Sequence, residues 1–275
     1  MTIVSANGAQ IPSLGFGTFR MSEPTVAAVL PAALRTGFRH VDTAQIYDNE
    51  GAVGAAIRSS GVPRNEIFLT TKVWVANFSL RSFARSVEES LRKLQTDHVD
   101  LLLLHWPNGS DVSREVQISE LNSVFDKGMT RHIGISNYSI AQMHEAATLS
   151  AAPLVTNQVE YHPFLSQDRL LAAARGLGMS LTAYYAMADG RSATDPVLRE
   201  IGARHRKSAA QVALRWLVQQ KDVITLSKTV KLTRVDENFA IFDFALSDSE
   251  MLTIGELATP GGRIISPHGL APDWD

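Results

Sequence analysis

The chain has 275 residues, of which 45% are hydrophobic, 7% aromatic and 20% charged; this suits a globular protein with a large core and excludes disorder, a coiled coil or a fibrous repeat. Its 26 basic and 28 acidic side chains leave a net charge of −2, with no basic excess to draw a nucleic acid or an anionic membrane surface. It has no cysteine, so disulfides, thiolate catalysis and cysteine-ligated metals are excluded.

Met1–Gln10 has neither the basic start nor the apolar core of a secretory signal. No run approaches the roughly 20 apolar residues needed to cross a bilayer, so the expected setting is the cytoplasm. Ile3–Ala6, Asn7-Gly8 and Ala9–Ile11 predict a β-hairpin, because Asn-Gly supplies the two positive-φ residues of a tight turn. Strand-like runs then follow at Leu14–Gly17, His40–Val41, Ile67–Thr71, Val99–Leu104, His132–Ile135, Leu154–Val159, Ser180–Ala183 and Val223–Leu226. Helical periodicity lies between them. Leu80, Phe83, Ala84, Val87, Leu91 and Leu94 recur at three- and four-residue steps behind Ser79 as the cap. Ser208-x-x-Gln211 and Ser247-x-x-Glu250 mark two further helix starts as capping boxes.

Leu101–Leu104 is apolar on consecutive residues, so both faces of that strand must be buried, as in a parallel sheet covered by helices. About eight strand–helix repeats in a chain of this length fit a (β/α)₈ TIM barrel. The competitor is a doubly wound open sheet. Its nucleotide-binding form has Gly-x-Gly-x-x-Gly after the first strand, whereas Gly15-Phe16-Gly17-Thr18-Phe19-Arg20 has no third glycine. With no linker-like tract, residues 1–275 form one α/β barrel domain carrying an N-terminal hairpin and extra C-terminal helices.

Polar residues recur where these strands end: Asp42, Lys72, His105, Ser136 and Asn137, Gln158, Tyr184, then Ser227 and Lys228. A parallel barrel brings all its strand ends to one rim, where barrel active sites lie. One such residue alone is ordinarily a turn former or cap; recurrence at most strands points to a site. The sequence has no Gly-x-Ser-x-Gly elbow, no His-Glu-x-x-His and no compact set of metal ligands. Asp42, Tyr47, Lys72 and His105 offer a carboxylate, a phenol, an ammonium and an imidazole. A lysine beside a tyrosine lowers the phenol's pKa from about 10, an aspartate holds the lysine, and an imidazole can polarise a carbonyl oxygen. The set suits proton transfer coupled to carbonyl reduction, with the hydride supplied by a reduced cofactor.

Asp42–Glu50, Thr71–Trp74, Leu104–Pro107, Gly134–Tyr138 and Asn157–Pro163 resemble, in order, the signatures of the aldo-keto reductase family. The likeness runs from the hairpin to the end of the chain, and the tail Ser266–Asp275 is similar to that of the family's bacterial members acting on 2,5-diketo-D-gluconate, of the shorter B type. The resemblance implies NADPH bound in extended form on the barrel. It makes Tyr47 the general acid, with Asp42 and Lys72 tuning it and His105 orienting the carbonyl. It places Ser136, Asn137 and Gln158 on the nicotinamide carboxamide and Tyr184 against the nicotinamide ring. Lys228, Thr229, Arg234 and Asn238 resemble the site for the adenosine 2′-phosphate, so NADP is expected over NAD, cations suiting a phosphate of nearly two negative charges. The bland readings are rim backbone satisfaction for Asn137 and Gln158, core packing for Tyr184 and a solvated basic helix start for Lys228 and Arg234.

Two departures stand out. Ser227 replaces a frequent proline, which implies a less rigid loop. Tyr185–Gly190 replaces the usual Ser-Pro-Leu, which leaves the pyrophosphate contacts unassigned. Trp74, His105 and Trp106, with Arg263, Ile264 and Trp274 of the tail and Phe19, Ile46 and Tyr138, are candidate substrate walls, each with packing as its alternative. The short loop Asn108–Val112 implies an open site. The expected activity is NADPH-dependent reduction of small aldehydes and ketones, such as methylglyoxal or 2,5-diketo-D-gluconate, by a monomer with no metal. The alternatives are a cofactor-binding regulatory protein with little catalysis and an isomerase or aldolase on the same barrel.

Overall fold

A computed structural model describes all 275 residues. The Asn-Gly turn closes an antiparallel hairpin, β1 (Ile3–Ala6) and β2 (Ala9–Pro12), with Asn7 and Gly8 both at positive φ. Eight strands follow: β3 (Leu14–Gly17), β4 (His40–Asp42), β5 (Phe68–Val73), β6 (Val99–Leu104), β7 (Thr130–Ser136), β8 (Leu154–Glu160), β9 (Ser180–Tyr184) and β10 (Val223–Ser227). Each pairs in parallel with the next, and β10 returns to β3, closing the barrel. Helices cross between consecutive strands, and a C-terminal helix, Asp248–Gly255, follows the last of them. Both predicted capping boxes form, at Ser208–Gln211 and Ser247–Glu250.

The leucine run on β6 shows why the strands read as unbroken apolar segments. Leu101 and Leu103 belong to a small cluster with Ile11, Phe68, Val155 and Ile224, whereas Leu102 and Leu104 join the large cluster shared with the helices. Both faces are therefore dry, as a barrel strand requires. The helix at Phe83–Leu94 starts later than its periodicity predicts, with Ser82 at its N-cap. Ser79 instead receives Ser82 and Phe83 backbone N–H groups on its carbonyl, so it closes the turn before the helix.

The hairpin covers the N-terminal end of the barrel. Asn7 Nδ2 donates to the carbonyls of Leu154 (2.7 Å) and Leu177 (3.0 Å), at the entrances to β8 and β9. Gly178 is required there, because a Cβ would lie 2.3 Å from Asn7 Oδ1. On β3, a Cβ at Gly15 would lie 2.6 Å from Leu226 and 2.9 Å from His40; glycine admits the buried imidazole. The opposite rim, where the strands end, is left to the polar residues.

Candidate active site

A cavity of about 680 Å³ opens at the C-terminal ends of the strands. Of the sequence-predicted residues, Asp42, Tyr47, Trp74, His105, Trp106, Ser136, Asn137, Gln158, Tyr184, Lys228 and Asn238 line it. Lys72 lies behind Tyr47, fully buried near the end of β5. Thr229 and Arg234 stand outside the lining: the Thr229 hydroxyl accepts from Lys231 N at 3.1 Å, and Arg234 is exposed.

Lys72 uses its three protons on three acceptors: Asp42 Oδ1 at 2.6 Å, the Thr43 carbonyl at 2.9 Å and Tyr47 Oη at 3.4 Å. The Tyr47 oxygen thus accepts from the ammonium, and its own hydrogen is free to point into the cavity. His105 stands edge-on to Tyr47, with ring centroids 5.7 Å apart, and to Trp74 at 5.3 Å. Burial, and then the charge of Lys72, holds this imidazole well below its ordinary 6.5, so it is neutral at physiological pH. Its Nδ1 is buried without a partner.

The expected acidic phenol is reversed. Burial, and then the negative charge of Asp42, push Tyr47 well above its ordinary 10.0. Lys72 does not outweigh this in the resting site, because Asp42 shares its charge at 2.6 Å and burial lowers its own pKa below 10.5. The phenol is therefore held firmly in its protonated form, which is the form a proton donor needs.

The strand-end amides are wired to this group. Gln158 Nε2 donates to Asp42 Oδ2 at 2.8 Å, and Ser136 Oγ donates to the Gln158 carbonyl at 2.8 Å. Asn137, in the left-handed region at φ 68, donates to the His105 carbonyl at 3.0 Å and accepts from Tyr184 Oη at 2.6 Å. Further along the rim, Lys228 and Arg20 line the cavity without an acidic ion-pair partner. Burial, and then Arg20, lowers the Lys228 pKa. Two cations held this close favour an anion between or beside them. Asn238 Nδ2 donates to Ser227 Oγ at 2.9 Å, so the serine in place of proline tethers its loop instead of loosening it. The altered segment after β9 also borders the cavity through Tyr185–Asp189, with Tyr185, Ala188 and Asp189 at positive φ. A cavity with amides at one position and unpaired cations at another fits a nicotinamide nucleotide.

Among the candidate walls, Phe19, Ile46 and Ile264 line the cavity, but Arg263, Trp274 and Tyr138 do not. The Arg263 guanidinium lies 3.6 Å from the centre of the Trp274 ring, and Tyr138 is buried under Arg114. The short loop Asn108–Val112 is tied to the tail at one point, where Asn108 Nδ2 donates to the Ala271 carbonyl at 2.9 Å, while Gly109 and Asp111 stay exposed. Sequence reasoning missed Gln45, whose Oε1 accepts from Trp74 N and Asn77 Nδ2, both at 2.9 Å. It also missed Asn157, which holds Tyr138 through both its amide atoms. Both lie within the quoted signatures, Asp42–Glu50 and Asn157–Pro163, but among so many polar neighbours that nothing local singles them out.

Residues 13–259 match the profile described as the aldo/keto reductase family. The methylglyoxal reductase DkgB of Escherichia coli O157:H7 is 41% identical over 267 residues, covering 96% of this chain and 99% of that protein. The glyoxal reductase of Bacillus subtilis (strain 168) is 38% identical over 257 residues, covering 93% of this chain and 92% of that protein. A crystal structure of a candidate 2,5-diketo-D-gluconic acid reductase B superposes with a TM-score of 0.99 at 64% identity, covering 100% of this chain and 98% of that one.

Proposed function

Because the chain belongs to the aldo/keto reductase family, and is thereby an oxidoreductase of small carbonyl compounds, we propose that it takes its hydride from NADPH and its proton from Tyr47. Methylglyoxal and 2,5-diketo-D-gluconate are the first substrates to try, since similar proteins carry those names. The observation that carries the reading is the placement of Lys72: its protons go to Asp42, Thr43 and Tyr47, leaving the phenolic hydrogen for a substrate.

When bound, the reduced nicotinamide supplies hydride to the carbonyl carbon. Tyr47 Oη–H and the neutral His105 ring hold the carbonyl oxygen between them and polarise it. As that oxygen gains charge, the Tyr47 proton passes to it and gives the alcohol. The phenolate left behind faces Lys72 Nζ at 3.4 Å, and the ammonium stabilises it until it regains a proton. Ser136, Asn137 and Gln158 would hold the carboxamide and Tyr184 the ring. Lys228 and Arg20 would face the cofactor's phosphates, with Thr229, Arg234 and Asn238 around the adenosine end. Trp74 and Trp106 would wall the substrate.

No helix is long and apolar enough to cross a membrane, and the closed barrel has no free strand edge to pair with another chain. Those features favour a cytoplasmic monomer. Mixing the purified protein with NADPH and methylglyoxal, 2,5-diketo-D-gluconate or a nitrobenzaldehyde should bleach the nicotinamide absorbance. NADH should support a lower kcat/KM. A flat trace across the whole panel overturns the proposal.

A further inference from the structure

Glu160, the last residue of β8, is fully buried and does not touch the proton-transfer group. Both its oxygens face the C-terminal tail. Oε1 accepts from Ile264 N at 2.8 Å and from the His162 ring at 3.0 Å. Oε2 accepts from Ile265 N at 2.8 Å, with Arg263 Nη1 at 3.8 Å. A buried carboxylate that receives two successive backbone N–H groups grips the chain itself, whatever side chains it carries there. Ile264 and Ile265, with Ser266, Pro267 and Leu270, line the same cavity as Tyr47 and His105. Gly262 brings the tail in: a Cβ there would lie 1.7 Å from the Phe164 carbonyl oxygen, so only glycine allows the approach.

From these contacts we infer that Glu160 is a specificity-positioning residue, whose carboxylate clamps the tail backbone at Ile264 and Ile265 and so sets the apolar wall against which the substrate body rests. The inference builds on the reductase reading above. The wall it holds is apolar, and thus suits the carbon skeleton of a carbonyl compound in preference to its charged groups. A residue serving only the stability of the barrel would not divide substrates by size; a clamp on the wall does.

The test is Glu160→Gln, whose amide nitrogen must face one of two N–H donors and so loses a bond. Amide hydrogen exchange at Ile264 and Ile265 should quicken relative to wild type while exchange at Leu101–Leu104 stays unchanged. KM for a nitrobenzaldehyde, whose ring reaches the wall, should rise about tenfold, the equivalent of one lost hydrogen bond. KM for methylglyoxal and kcat for both should move less than twofold. Gly262→Ala displaces the same segment without touching the carboxylate and should produce the same split, which keeps the inference testable if Glu160→Gln fails to fold. Unchanged exchange at Ile264 and Ile265, or a fall in kcat with KM constant, overturns the clamp. A wild-type protein that reduces none of the carbonyl panel instead overturns the reductase reading, and the exchange measurement still judges the clamp.

Discussion

Lys72 Nζ lies 3.4 Å from Tyr47 Oη but 2.6 Å from Asp42 Oδ1, so its charge is committed to the carboxylate before it reaches the phenol. The phenol therefore stays protonated far above neutrality and is loaded to give up a proton rather than to take one. Tyr47→Phe removes that proton and should lower kcat by about 10²- to 10⁴-fold, the usual worth of a positioned acid. NADPH affinity, read by fluorescence titration, should be nearly unchanged. A variant with wild-type turnover would remove Tyr47 from the chemistry.

The rate should also lack an acid limb near pH 6.5. His105 is held well below its ordinary value and Tyr47 well above its own; neither changes charge between pH 6 and 8, an interval chosen around the ordinary histidine value. A reductive kcat profile that halves on passing through pH 6.5 would show that His105 is protonated there, contrary to its burial.

Lys72 and Asp42 are almost wholly buried, with side-chain exposures of 1% and 3%. Breaking such a pair leaves one charge unpaired in a dry site and costs about 3–5 kcal/mol. Lys72→Met should therefore lower the urea midpoint steeply as well as the rate. Lys72→Met combined with Asp42→Asn should recover much of the stability and none of the rate. If the double variant is no more stable than the single one, the pair is not what the ammonium supports.

His40, buried inside the barrel, is lowered by desolvation from 6.5 to about 4. The unfolded chain thus binds a proton more readily than the folded one between those values. The stability this neutral imidazole contributes is complete above pH 6.5 and is lost as pH falls toward 4, up to ~3 kcal/mol in all at about 1.4 per pKa unit. Chemical denaturation at a series of pH values should show this slope, and His40→Asn should flatten it. An equal slope in the variant assigns the loss to other groups.

Lys228 faces the cavity beside Arg20 with no acidic partner. Its loss should weaken a charge-assisted contact to a phosphate and raise KM for NADPH by about ten- to a hundredfold. KM for NADH, which lacks the 2′-phosphate, should hardly move under Lys228→Ala. Equal effects on both cofactors would place this lysine at a phosphate they share.

The barrel itself was legible because its strands are short and, apart from the start of β7 at Arg131 and His132, almost wholly dry on both faces. Leu14–Gly17 and Val99–Leu104 have the predicted bounds, and the other six barrel strands differ by only one or two residues at an end. The rim residues were legible for the same reason, since they interrupt apolar runs. The Gln158–Asp42 bond spans 116 residues and the Glu160–Ile264 bond 104; no local pattern encodes such contacts. The mutual stacking of Arg263 and Trp274, outside the cavity, depends on how the tail docks. The elevated phenol pKa could not be read from residue types, because burial and the tighter Lys72–Asp42 contact decide it.

The hairpin, anchored by Asn7 beneath β8 and β9, closes a barrel whose interior is already filled by Ile11, Phe68, Leu101, Leu103, Val155 and Ile224, so nothing threads it from end to end. Ile11 carries the hairpin into that filled interior, so its two strands complete the floor on which the rim residues stand.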